Sequence, residues 1–164
     1  MIGRCVPADF EDIYAIVNDA ASAYRGVIPA DRWHEPYMPR EELRAEIDAG
    51  VVFWGFRDHE KLIAVMGLQD VQDVALVRHA YTRTALRGRG AGAMLLEHLK
   101  AQATRPLLVG TWKAATWAVR FYEKRGFVLT SEAEKRALLK RYWTVPERQI
   151  EESVVLRGAP ALGT

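Results

Sequence analysis

The sequence predicts an α/β protein, a central mixed β-sheet with helices on both faces, and three observations carry that prediction. Strand-like runs alternate with runs whose apolar residues recur at helical spacing, in the order β-α-α-β-β-β-α-β-α-β. A strand-like run at 74–82, a glycine-rich turn at 87–92 and a helix-like run from Ala91 onward follow one another directly. The chain has 164 residues, 49% of them hydrophobic, which supplies one good core and calls for no second domain. A single domain is expected over residues 1–157, with 158–164 a loose tail.

Each element has its own local reason. Residues 2–6 read as a short first strand, and Asp9 stands as an N-cap before Phe10, Ile13, Val17, Ala20 and Tyr24 at helical spacing. Tyr24, Gly26, Pro29, Trp33, His34, Pro36, Tyr37 and Pro39 then combine chain breakers with aromatics. Such a loop either plugs the end of a core or shapes a substrate pocket over a cleft. Leu43 and Ile47 mark a second helix, stopped by Gly50. Runs at 51–56 and 62–68, joined by the polar stretch 57–61, read as a hairpin that continues into the strand at 74–82. Ala91, Leu95, Leu99 and Gln102 give the next helix; Pro106 precedes a strand at 107–111; a helix over 116–125 closes at Gly126. A short basic helix at 134–141 and a last strand at 150–156 complete the pattern.

Composition removes several function classes. No run of about eighteen apolar residues spans a membrane, and acidic residues at 9, 11 and 12 come too early for a secretory leader, so cytoplasmic residence is the expectation. Cys5 is the only cysteine; it forms no internal disulfide or multi-cysteine metal site, reads as core, and no metal is expected. A formal charge of +2 does not argue for nucleic acid, and the basic residues of the second half, Lys135, Arg136, Lys140 and Arg141 among them, read mostly as a solvated face.

The chemistry concentrates at Arg87-Gly88-Arg89-Gly90-Ala91-Gly92. Glycines let the chain turn tightly and keep Cβ atoms away from a ligand, and the helix that starts there offers unpaired N–H groups and the positive end of its dipole. The pattern suits a pyrophosphate. No Gly-Lys-Ser or Gly-Lys-Thr follows, which excludes a Walker loop. Gly88, Gly90 and Ala93 satisfy a loose dinucleotide-binding spacing, but residues 109–112 lack the carboxylate that would meet a ribose.

These residues resemble the GCN5-related N-acetyltransferase (GNAT) family, whose phosphate motif is Arg or Gln, two residues, Gly, one residue, then Gly or Ala. A second motif lies about thirty-five residues on, where Phe121-Tyr122 and Gly126-Phe127 match the family's aromatic, Tyr, three residues, Gly-Phe. The resemblance implies an acyl-CoA N-acyltransferase fold with a sheet that splays between the strand at 74–82 and the one at 107–111. It also implies acetyl-CoA as co-substrate, its pyrophosphate on Arg87, Gly88, Arg89, Gly90, Ala91 and Gly92 and its pantetheine arm along Tyr81 and Thr82. The acceptor would be a small-molecule or peptide amine; a homodimer, frequent in that family, is left open.

Tyr122 is the general acid the resemblance implies, since a phenol of pKa about 10 stays protonated at neutral pH; taken alone it reads as a core aromatic. No glutamate occupies the strand before the loop, where many relatives carry their base. His79, on the same strand face as Tyr81, is the candidate in its place, against a purely structural role; His34 and Glu35 are weaker ones. Ala115 stands where relatives often have an asparagine, so one contact to coenzyme A is expected to be missing. A non-catalytic acyl-CoA-binding module on the same fold, or a small nucleotide-binding oxidoreductase, are the competing readings.

Overall fold

A computed structural model describes residues 1–161. Seven strands form one mixed sheet: β1 (Ile2–Arg4), β2 (Val52–Asp58), β3 (Lys61–Val71), β4 (Val74–Thr82), β5 (Leu107–Trp112), β6 (Val128–Leu129) and β7 (Ser153–Gly158), in the spatial order β1-β2-β3-β4-β5-β7-β6. Among the described residues six α-helices accompany it: α1 (Phe10–Ala21), α2 (Arg40–Asp48), α3 (Ala91–Gln102), α4 (Thr116–Glu123), α5 (Glu132–Tyr142) and α6 (Glu147–Glu151).

Strand alternation divides the core between two faces. Ala75, Val77, Leu107, Val109 and Leu156 point to the side covered by Leu95, Leu96 and Leu99 of α3 and by Tyr122 of α4. Leu76, Leu108 and Val155 point the other way, beneath Leu139 of α5 and Ile150 of α6. On that second side Ile13, Ile16 and Val17 of α1 and Leu43 of α2 cover Phe53, Leu62 and Val65. The predicted fold class is therefore present, mixed sheet and two-sided helix cover alike.

The feature that positions the site is where the sheet stops being continuous. Strand β4 pairs in parallel with β5 only at Ala75–Leu107, Leu76–Leu108 and Val77–Val109. Beyond Val77, β4 stays with β3, through Val65–Tyr81 and Ala64–Thr82, while β5 stays with β7, through Gly110–Val155 to Trp112–Ser153. A slot opens between residues 78–82 and 110–112, walled by two strand edges that no longer bond each other.

Several boundaries differ from expectation. Asp9 does not cap α1; it closes a 3-10 turn (Pro7–Asp9), where its Oδ2 accepts from Val6 N–H at 2.8 Å and its Oδ1 from Arg57 Nη2 at 2.7 Å. Ile150 is helical, because Pro146 starts α6, and the last strand runs on to Gly158. Ala161 N–H donates to the Lys100 carbonyl at 2.8 Å, so 158–161 lie against the fold; 162–164 fall outside the described residues. Lys135 turns inward, not to solvent, with Nζ 2.9 Å from the Ile150 carbonyl and 2.9 Å from Glu132. Arg136 is matched by Glu132 and Glu147, which neutralises the basic helix locally. Cys5 is half-buried, and burial pushes its thiol up to about 11.

The Asp9 contacts give a stability prediction. Burial pushes its carboxyl up, but the Val6 N–H and Arg57 outweigh that and leave it below the ordinary 3.8. Asp9→Ala should cost about 2 kcal/mol at neutral pH in urea unfolding, because it strands an N–H and unpairs a guanidinium. The sign follows from a depressed folded pKa: the contribution is complete above the unfolded value of 3.8 and disappears as pH falls through the lower folded one, so wild type and variant should converge in acid.

Candidate functional site

One cavity of about 880 Å³ occupies the slot and continues over the glycine turn, within the usual range for ligand pockets. His79, Tyr81, Thr82, the whole run from Arg87 to Gly92, and Tyr122 all line it. The structure thus places these ten residues around one cavity; His34 lines it too, and Glu35 does not.

At the glycine turn the backbone is built for an anion. Gly88 has φ +82° and Gly90, the residue before α3, has φ +80°, a region that L side chains rarely adopt. Nothing lies within 4 Å of where a Cβ would stand on either, so these glycines are needed for their backbone angle and they leave open space above the turn. The first helical hydrogen bond of α3 runs from Met94 N–H to the Gly90 carbonyl at 3.1 Å. The N–H groups ahead of it have no helical acceptor, no side chain caps them, and no acidic residue stands in the first turn. Arg87 departs from a simple phosphate contact: its Nη2 donates to the Ala20 carbonyl at the end of α1 at 3.1 Å, so its guanidinium ties the turn down. Thr84 N–H adds to that anchor, donating to Asp19 Oδ2 at 2.7 Å. Arg89 is exposed and Arg125 lines the same end, stacked 4.2 Å over Phe121.

The opposite wall comes from α4. Gly126, at φ +87°, turns the chain so that Phe127 N–H returns to the Tyr122 carbonyl at 3.1 Å and the Phe127 ring packs 5.6 Å from Tyr122. Both Phe121 and Tyr122 line the cavity and pack in one core cluster: Tyr122 is only 5% exposed, while half-buried Phe121 lies 3.5 Å from the notional Cβ of Gly92. Tyr122 Oη makes no hydrogen bond among the described residues. Burial raises its pKa, with Tyr24 adding to the effect, which keeps the phenol protonated. Ala115 is fully buried and offers the cavity no polar group.

The far end of the cavity is aromatic. Tyr24 stacks on Trp117 at 5.9 Å and packs at 5.8 Å from Tyr37 and 6.3 Å from Tyr81, and the Trp112 indole N–H reaches Tyr37 Oη at 3.4 Å. Burial pushes the Tyr24 phenol up to about 12. The aromatic loop therefore shapes the pocket, through Tyr24, His34, Tyr37 and Met38, and also packs a small core around Ile28 and Trp112. His34 is exposed, its Nδ1 2.8 Å from the Pro36 carbonyl, and exposed Glu35 is taken up by Arg25.

Sequence reasoning missed Glu46. It projects from α2 toward β4, lines the cavity, and contacts both His79 Nε2 and, at 3.2 Å, Arg78 Nη2. The available signal was its spacing three residues after Leu43, which puts it near the buried face of α2. Burial pushes the Glu46 carboxyl up, yet the His79 hydrogen bond and the charges of His79 and Arg78 leave it below its ordinary range.

Known proteins agree with this architecture. The family model of the acetyltransferase (GNAT) domain matches residues 18–140. No curated protein matches the chain by sequence. The PaiA N-acetyltransferase of Thermoplasma acidophilum, solved with coenzyme A, is similar at TM-score 0.70 and 16% identity over 97% of this chain and 98% of its own. The ribosomal-protein-S18-alanine N-acetyltransferase of Escherichia coli matches at TM-score 0.70 and 16% identity over 100% and 96%. The yncA protein of Salmonella typhimurium, solved with acetyl-CoA, matches at TM-score 0.68 and 16% identity over 100% and 95%. With a splayed mixed sheet, a glycine turn at the mouth of α3 and a family match that spans both, the chain belongs to the GNAT family of acetyltransferases and has the acyl-CoA N-acyltransferase fold.

Proposed function

We propose that the chain transfers the acetyl group of acetyl-CoA to a primary amine by direct attack within a ternary complex. The observation that carries this reading is the single cavity that joins the N–H mouth of α3 to the slot between β4 and β5. The residues fit the co-substrate: free main-chain donors and two glycines with open space above them suit its pyrophosphate, and an unpaired strand edge suits an extended amide chain. That the similar folds were solved with coenzyme A or acetyl-CoA supports it.

Bound there, acetyl-CoA supplies an activated acyl thioester. The N–H groups from Arg87 to Gly92 hold the diphosphate, and the edge at Tyr81 and Thr82 orients the arm. A lysine-type ammonium has pKa about 10.4, so baring its lone pair near pH 7 costs about 4 to 5 kcal/mol. His79 accepts that proton. A main-chain N–H near Thr82 stabilises the charge that develops on the carbonyl oxygen. The C–N bond forms first; as the C–S bond then breaks, Tyr122 donates its proton to the departing sulfur, and the second proton of the acylated nitrogen passes to the phenolate and restores it. Burial raises the phenol, which keeps it in its proton-donating form at neutral pH.

The test is a thiol-release assay of the full chain with acetyl-CoA and a panel of amines covering polyamines, amino acids and peptide N-termini. Amine-dependent release of coenzyme A is expected for at least one class. Binding of acetyl-CoA with no turnover on any amine would instead make the chain an acyl-CoA-binding module.

A further inference from the structure

We infer that Glu46 is a positioning residue that fixes His79 in its Nε2–H tautomer, so that Nδ1 is the atom that takes the proton of the acceptor amine. The inference rests on the acetyl transfer proposed above and adds to it a residue from another element and a specific atom.

The starting point is an irregularity in β4. Gly67 stands opposite Arg78 and Val65 opposite Tyr81, so His79 and Ala80 together face the single residue Met66. This is a β-bulge, and His79 sits in it at φ +54°, in the left-handed region that costs a non-glycine residue about 1–2 kcal/mol. In a straight strand Arg78 and His79 would point to opposite faces. The bulge sends both toward Glu46, and each carboxylate oxygen receives its own partner: Arg78 Nη2 on Oε1 at 3.2 Å, His79 Nε2 on Oε2.

The surroundings leave that arrangement no slack. Arg78 Nη1 donates to Gln69 Oε1 at 3.0 Å, and Gln69 Nε2 donates to the Ala49 carbonyl at 3.1 Å, so the network closes on backbone. The imidazole lies between Phe53 at 6.0 Å and Tyr81 at 6.4 Å. A carboxylate accepts and does not donate, so the nitrogen that faces it must carry hydrogen, and the neutral ring keeps its lone pair on the other nitrogen. That nitrogen, Nδ1, has no partner among the described residues, and His79 lines the cavity. The charged and titratable groups on that stretch of lining are Glu46 and Glu42 of α2, Arg78 and Tyr81 of β4, and Tyr37 of the aromatic loop. Glu46 also stabilises the imidazolium that forms after proton uptake, while Arg78 keeps the carboxylate ionised. A purely structural clasp between α2 and β4 would explain the contacts to Glu46, but not a strained bulge that leaves Nδ1 without a partner among the described residues on a side chain that lines the cavity.

The test uses the full chain with ¹⁵N-labelled histidine, and long-range ¹H–¹⁵N correlation to read the protonated nitrogen of each ring at about pH 8, where an unperturbed imidazole is neutral. Four histidines are present, and His79→Gln assigns the signal. Wild type should show His79 protonated at Nε2; Arg78→Gln should keep that pattern, and Glu46→Gln should lose it in part or whole. In the release assay Glu46→Gln should lower kcat about 10- to 100-fold with coenzyme A affinity unchanged, and the acidic limb of its kcat/KM profile should move to lower pH. A wild-type ring protonated at Nδ1, or a Glu46→Gln profile identical to wild type, overturns the inference. Absence of amine-dependent release from wild type overturns the transfer reading itself, and appears in the assay whatever the spectrum shows.

Discussion

Replacing Gly92 with aspartate should abolish measurable acetyl-CoA binding at concentrations that saturate wild type, a loss of about 100- to 1000-fold, while the fold melts no lower than before. The two halves of that expectation come from one charge. Gly92 is the second residue of α3, its φ is ordinary, and a Cβ there meets the Phe121 ring at 3.5 Å and Thr82 Oγ1 at 4.0 Å, both normal contacts. The backbone therefore accepts a side chain. An acidic group in the first turn of a helix interacts favourably with the dipole, by about 0.3–1 kcal/mol, and the first turn of α3 has none. The same carboxylate occupies the mouth where an anion must bind. Two unit charges 4 Å apart at the boundary of a protein repel by about 4 kcal/mol, near three orders of magnitude in affinity. Thermal melting and calorimetry on one preparation separate the effects. Unchanged affinity in a folded Gly92→Asp chain would mean that the diphosphate is held elsewhere.

Tyr122→Phe should lower kcat by about 10²- to 10⁴-fold and leave acetyl-CoA affinity within about twofold of wild type, the range for loss of a general acid. The substitution removes one oxygen from a site where that oxygen makes no hydrogen bond among the described residues. The ring contacts to Phe121 at 5.1 Å and Phe127 at 5.6 Å survive, as does the bond from Phe127 N–H to the Tyr122 carbonyl. Stability should then change by less than about 1 kcal/mol, because no buried partner is left unsatisfied. The rate is read by thiol release and the affinity by calorimetry. A folded Tyr122→Phe chain that keeps wild-type turnover would return Tyr122 to the role of a core aromatic.

What the sequence made legible was local chemistry. The glycines at 88, 90 and 92 announced a tight turn, which 88 and 90 make at positive φ while 92 is already helical; Gly126 announced the close of α4; Leu95 and Leu99 announced the buried stripe of α3; the order of strand and helix runs announced helices on both faces of a sheet. The hairpin was legible too, though its turn tightens to His59 and Glu60, because the polar residues at 57, 58 and 61 still pair as strand. Ile150 opens a run that ends in Val154, Val155 and Leu156 and so looks like strand, yet Pro146 fixes the start of a helix there and its partners in α5 lie elsewhere in the sequence. Strand β6, two residues long, carries too little pattern to be seen.

The site divides the same way. A phosphate mouth is made by consecutive residues and can be read from them. The Glu46–His79 pair is separated by thirty-three positions and depends on a bulge that no periodicity encodes. Asp9 has the residue type and place of a helix cap, but Arg57, on a strand far along the chain, competes for its carboxylate. That Tyr122 serves the core and the cavity at once depends on how α4 rolls against the sheet, which the spacing of Phe121 and Tyr122 does not determine.

The measurement that bears most directly on the central claim is calorimetric titration of the folded full chain with acetyl-CoA. The account predicts saturable uptake of one molecule per chain, weakened by salt, retained by Tyr122→Phe and lost in Gly92→Asp. Well-folded chain that takes up neither acetyl-CoA nor coenzyme A would contradict it.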